Sequence, residues 1–188
     1  MKVKILLLAI LAVLTAGSIQ AQTTPSGKKI LIAFFSWSEN GNTRNMANKI
    51  KLETGADIFE IVPINAYPTT FEACVAQAQK EIDSNFKPEI KGTVANFESY
   101  DIILVGSPIW CGTIAPPVAT FLSNYDFSGT TVLPFITFGG GGKGKSIEDI
   151  KNLCPKAVLL EDFSITGRSV NDADGDIRKW LKDKDIIK

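Results

Sequence analysis

From Lys28 onward the apolar positions of this chain alternate between short unbroken runs and stripes spaced three to four residues apart, the signatures of buried strands and amphipathic helices. Ile30 to Phe35 is a run of strand length, and Thr43 to Leu52 puts Met46, Ala47 and Ile50 on one helical face before Gly55 stops it. A second strand is predicted over Asp57 to Val62. Thr69 and Glu72 then have capping-box spacing, at the start of a helix whose apolar stripe is Phe71, Cys74, Val75, Ala78 and Ile82. Ile102 to Gly106 has no polar break, as expected of a strand covered on both faces. Pro116 and Pro117 open the next helix, where their missing amides cost nothing, and Val118, Phe121 and Leu122 face the core. Thr131 to Phe138 reads as a fourth strand, with Pro134 counting against a central position. Ser146 and Asp149 mark another helix start, Ala157 to Leu160 a fifth strand, and a last helix carries Ile177, Trp180 and Leu181 on one side. The polar stretch from Asn85 to Glu98 reads as an irregular connection. Five strand-then-helix units with short links predict an α/β fold: a parallel, doubly wound sheet with helices on both faces.

The first residues follow another rule. Lys2 and Lys4 precede an apolar run from Ile5 to Leu14, then small and polar residues up to Ala21 and Gln22, the pattern of an export signal. That run is too short to span a bilayer, which takes about 20 residues. The expected organisation is a signal peptide over 1–21, a flexible join over 22–28 and one domain over 29–188. A cut after Ser18 is the competing cleavage site. Export to the periplasm or beyond is the expected localisation, with a membrane tether if the signal stays uncleaved and no stable insertion once it is removed.

Charge and composition then exclude whole classes of chemistry. The 188 residues include 20 basic and 20 acidic side chains and no histidine. Without histidine there is no Ser-His-Asp triad, no HExxH zinc site and no histidine pH switch. Removing the leader takes Lys2 and Lys4 with it, so the mature chain is slightly acidic, with no electrostatic attraction to nucleic acid. Cys74, Cys111 and Cys154 are odd in number and lack paired spacing, so neither a metal box nor a disulfide framework is indicated. Cys74 lies on a helical stripe and Cys154 at a helix end. Cys111 sits in a glycine-bearing loop, the one cysteine position that draws attention.

Three segments that follow strands carry the candidate chemistry. Residues 36–43, SWSENGNT, offer Ser36, Ser38, Asn40, Asn42 and Thr43 as neutral donors, Gly41 for a tight turn and the N-terminus of a helix, together a site for an anion such as a phosphate. With no lysine or arginine inside it, this segment suits a monophosphate better than a nucleoside triphosphate. Residues 106–113, GSPIWCGT, are expected to present Trp110 at a loop tip, where it would wall a planar heterocycle. Residues 137–146, TFGGGGKGKS, expose bare backbone able to bond the polar edge of a flat ring. Each segment alone is an ordinary turn. Together, at the carboxyl ends of parallel strands, they describe one ligand site.

The run YDIILVGSPIWCGT over 100–113, the APPVATFL that follows and then LPFITFGGGG strongly resemble the flavodoxin family, in its short bacterial branch. The resemblance spans about residues 29–185. It implies a flavodoxin-like three-layer sandwich, a five-stranded parallel sheet of order 2-1-3-4-5 with helices on both faces, and flavin mononucleotide (FMN) as cofactor. By that resemblance Ser36, Ser38, Asn40, Gly41, Asn42 and Thr43 would hold the phosphate. Pro108, Trp110 and Gly112, in one run with Ser107, Ile109 and Cys111, would surround the isoalloxazine, and Gly139, Gly140 and Gly141 would meet its pyrimidine edge. The chain departs from the family pattern in a phosphate loop two residues longer, in Cys111 where relatives often carry tryptophan, and in a third loop without the usual tyrosine, for which Trp37 could substitute.

The resemblance implies no catalytic side chain and no metal; the flavin would do the electron transfer. It leaves three functions open: an exported electron-transfer protein serving a redox partner or small acceptor, an FMN-dependent NAD(P)H:quinone-type reductase, or a non-catalytic binding protein on the same fold. Lys143 and Lys145 flank the third loop. One unit charge at about 8 Å and an effective dielectric of ~20 is worth roughly 2 kcal/mol, or about 90 mV, so a less negative reduction potential than that of an acidic flavodoxin is expected.

Overall fold

The computed structural model describes residues 27–37 and 41–188. The expected signal peptide, most of the join behind it, and Ser38, Glu39 and Asn40 lie outside the described residues.

Strands β1 (Ile30–Phe34), β2 (Asp57–Glu60), β3 (Ile102–Trp110), β5 (Thr131–Phe138), β6 (Val158–Leu159) and β7 (Phe163–Thr166) form a sheet in which neighbours run parallel. Across it the order is β2-β1-β3-β5, with β6 and β7 sharing the last place beside β5. A two-residue strand, β4 (Thr113–Ile114), folds back antiparallel on the end of β3. The five expected places are therefore filled in the expected order, by a sheet of seven strands rather than five.

Period-two alternation sends each central strand into two cores. Leu31, Ala33, Ile103, Val105, Val132 and Ile136 pack on one face with Cys74, Phe121 and Ile150. Those three come from helices α2 (Phe71–Asp83), α3 (Pro116–Asn124) and α4 (Ser146–Leu153). Ile30, Ile32, Phe34, Leu104 and Phe135 face the other way, onto Met46 and Ile50 of α1 (Asn42–Thr54) and Ile177 and Trp180 of α5 (Asp174–Asp183). Near-complete burial of a large apolar side chain is worth about 1.5–3 kcal/mol, so these two layers dominate stability.

Several elements correct the reading from sequence. Pro134 is central, paired with Val105 on one side. On the other side β6 ends opposite Val132 and β7 begins opposite Phe135, so the residue that cannot donate lies where the outer strand is interrupted. The N-cap of α2 is Thr70, with no side-chain cap bond, so Thr69 and Glu72 form no capping box. Phe71 and Val75 are exposed, 67% and 39%, whereas Glu81 is buried; the inward face of α2 is Cys74, Ala78 and Glu81. Gly55 ends α1 as expected, at φ 66° with its N–H on the Lys51 carbonyl.

Candidate functional site

Parallel pairing brings the carboxyl ends of β1, β3, β5 and β7 to one rim, and contacts between the segments leaving them fix that rim. The segment after β1 enters α1 through Gly41, an N-cap without a side chain, whose carbonyl accepts from Asn45 N–H at 3.0 Å. The first-turn amides of α1 thus receive no side-chain bond from their cap residue, and the first turn carries no acidic residue. Thr43 is buried, its Oγ1 2.8 Å from Thr137 Oγ1 at the end of β5. Asn42 lies against the segment after β7, where a Cβ on Gly167 would come within 2.1 Å of its Nδ2. Arg44, one residue beyond the segment singled out in the sequence, pairs with Glu60 at the end of β2, and its buried Nε has no partner among the described residues.

The second segment is not a loop over most of its length. β3 continues through Ser107, Pro108 and Ile109 to Trp110, and only Cys111 and Gly112 turn before β4. Both have positive φ, 48° and 83°, as a tight two-residue hairpin of type I′ sign requires. Trp110 is therefore no loop tip. It is half-buried at a strand end, edge-on to Phe35 at 5.2 Å and to Tyr67 at 4.8 Å between ring centroids. Tyr67 was not singled out in the sequence; it is buried, and its hydroxyl donates to Glu81, which also accepts from Gln77 Nε2 at 2.8 Å. Burial, then the Glu81 bond, pushes the Tyr67 phenol far up. Ser107 is fully buried, with its Oγ donating to Pro108 O at 2.8 Å and accepting from Ala115 N at 3.0 Å.

The third segment meets the second. Lys145 N–H donates to Gly112 O at 2.9 Å, and a Cβ on Gly144, at φ 53°, would come within 2.1 Å of that oxygen. Gly139, Gly140 and Gly141 are exposed, with no atom within 4 Å of where a Cβ would stand. Gly106 differs from them: it is buried between Phe34 and Phe135 and serves the sheet rather than a ligand. Lys143 is not a free charge, since its Nζ sits 2.6 Å from Asp162, whose side chain is 6% exposed.

Trp37, at the start of the first segment, is partly exposed and donates from Nε1 to Pro68 O at 3.0 Å. Beside it Phe35, Ser36, Glu60 and Tyr67 line a cleft of about 180 Å3. The structure therefore gathers Ser36, Gly41, Asn42 and Thr43 with residues 107–112 and 139–141 on one rim. Ser38 and Asn40 fall outside the described residues. No group of acidic or cysteine side chains among the described residues could hold a metal ion, and no helix among them is long and apolar enough to cross a membrane.

Solved proteins share this fold. A candidate flavoprotein from Bacteroides eggerthii is similar with a TM-score of 0.72 and 29% identity, over 82% of this chain and 96% of that one. A candidate flavoprotein from Bacteroides uniformis shares the fold with a TM-score of 0.71 at 23% identity, over 82% and 98% of the two chains. A flavoprotein from Lactobacillus acidophilus, solved in complex with FMN, is similar with a TM-score of 0.63 and 28% identity over 77% and 97%. No curated protein matches the chain. The model of the Flavodoxin family matches residues 29–184, and the chain belongs to that family.

Proposed function

We propose that this chain is an exported electron-transfer protein that binds FMN at the rim formed by the segments after β1, β3 and β5. The observation that carries the reading is the meeting of three different groups at that rim: uncapped first-turn amides, a braced tryptophan and a run of bare glycines. The residues fit the group. A phosphate matches the amides at the start of α1, with the partial positive end of the helix behind them. The Ser107 hydroxyl already donates to Pro108 O and accepts from Ala115 N–H, so its part in binding falls to backbone atoms, whereas Thr43 shares one hydrogen bond with Thr137. Trp110, braced by Phe35 and Tyr67, offers an aromatic wall. Gly139 to Gly141 present amides and carbonyls that no side chain shields, suited to the hydrogen-bonding edge of a planar ring.

Bound FMN supplies the electron acceptance and donation. The protein's own part is to hold the phosphate by neutral donors, orient the ring against Trp110 and set the local charge. With Lys143 paired to Asp162, Lys145 is the remaining cation of the third segment able to raise the potential.

The test is to purify the mature chain from cells, record its visible spectrum and identify the released ligand by mass. A yellow protein releasing FMN supports the reading; colourless protein that does not rebind added FMN refutes it. Export is tested separately, by sequencing the N-terminus of the protein recovered from the periplasm: a start at Gln22 or Ile19 is expected, and an intact Met1 in the cytoplasm refutes it.

A further inference from the structure

We infer that Cys111 and Cys74 form a dithiol site, which a disulfide oxidant of the glutathione class converts to an internal disulfide fastening the β3–β4 hairpin onto α2. Cys111 stands exposed at the hairpin turn and Cys74 buried on the inward face of α2. The hairpin turn lies over the helix beside Cys74: Cys111 Sγ is 3.9 Å from the carbonyl oxygen of Val75, the next residue along α2. Cys111 also holds a left-handed φ of 48°, a conformation that asparagine or glycine adopts more readily, so local backbone preference does not account for a cysteine at this turn. Cys154, buried beyond the end of α4, lies outside the pair and serves as an internal reference.

Burial first, then the neighbouring Cys111 and Glu81, pushes the Cys74 thiol up; burial and Asp83 do the same to Cys111. Neither is an activated thiol, so exchange is slow and begins at the accessible one. The Cys111 thiolate attacks glutathione disulfide and one glutathione leaves as its thiolate. Cys74, its proton lost to solvent, then attacks the Cys111 sulfur and expels the second glutathione. Two protein thiols lose two electrons and two protons, and one glutathione disulfide becomes two glutathione thiols. Because Cys111 follows Trp110 directly, the crosslink anchors the hairpin that carries the aromatic wall. The thiol chemistry does not require FMN, so it stands or falls apart from the flavin reading.

The experiment incubates purified protein with glutathione disulfide, alkylates the remaining thiols in denaturant and maps the peptides by mass. The expected result is a Cys74–Cys111 crosslink with Cys154 alone alkylated. Cys111→Ser should abolish the crosslink and leave Cys74 free, and Cys74→Ser should trap the glutathione adduct on Cys111. Wild-type protein that stops at the adduct while Cys74 remains alkylatable overturns the inference, as does protein in which Cys111 takes up no glutathione.

Discussion

Gly106 inside β3 and Gly140 in the segment after β5 should respond to the same added methyl in opposite ways. A Cβ on Gly106 would stand 2.2 and 2.4 Å from ring carbons of Phe135 and 2.7 Å from Phe34 Cβ. Neither ring can relax into solvent without leaving the core, because Phe34 is 2% and Phe135 0% exposed. Overpacking of this kind costs about 3 kcal/mol. With a urea dependence of roughly 2 kcal/mol per molar, Gly106→Ala should lower the unfolding midpoint by about 1.5 M. At Gly140 a Cβ meets nothing within 4 Å, and φ lies outside the left-handed region. Gly140→Ala should therefore leave the midpoint unchanged or raise it slightly, since alanine restricts the unfolded chain. The same methyl would project from the backbone proposed to meet the ring edge, so FMN affinity should fall about tenfold, roughly 1.4 kcal/mol. Paired urea melts and FMN titrations give the answer. A Gly106→Ala midpoint within about 0.3 M of wild type refutes the packing argument, and full FMN affinity in Gly140→Ala removes that glycine from the site.

Thr43→Val strands a buried Thr137 hydroxyl and should cost about 1–3 kcal/mol, while adding Thr137→Val should cost less than the two single changes together; a double-mutant cycle by urea unfolding reads the coupling. Trp110→Ala should weaken FMN binding by about 0.5–1.5 kcal/mol beyond the lost contact area, and equal affinity in a fluorescence titration would take the ring out of the site. Lys145→Ala should lower the flavin midpoint potential by tens of millivolts, whereas an unchanged potential would leave the third segment without electrostatic influence. Burial raises the Cys154 thiol to about 12. The folded state therefore keeps its proton after the unfolded chain has lost it, and the associated stability, complete below pH ~9, fades between ~9 and 12. Cys154→Ala should flatten that stretch of the stability-versus-pH curve, and an unaltered slope refutes the assignment.

Local signals were readable where the cause was local. Gly55 ends a helix because only its own φ matters, and Thr131 to Phe138 is a strand with both boundaries as expected because the apolar run Val132 to Ile136 is flanked by threonines, which favour strands. Errors arose where a partner distant in the chain decides. Glu81 occupies an inward helical position that hydrophobic periodicity gives to apolar residues, and its place depends on Tyr67 from another loop. Pro134 is tolerated in the sheet interior through a break in the outer strand that no feature of residues 131–138 announces. The hairpin at Cys111 and Gly112 was hidden because Cys-Gly is outside the usual Asn-Gly and Asp-Gly turn pairs. Lys143 looked like a free charge only because Asp162, its partner, lies 19 residues onward.

Those long-range contacts hold parts of the rim together through the protein's own groups. Thr43 to Thr137 ties the segment after β1 to the end of β5, Gly112 to Lys145 ties the hairpin to the glycine run, and Phe35 and Tyr67 brace Trp110 from two directions. Each tie uses a small residue, a backbone group or a ring already committed to the core. The ordering entropy of the residues these contacts tie is therefore met during folding rather than during binding. A site without a lysine in its proposed phosphate segment gains from such preorganisation, because neutral donors offer less attraction per contact than a cation. The Gly144 contact illustrates the point: a methyl there would collide with Gly112 O, separating the two segments that the proposed ring has to bridge.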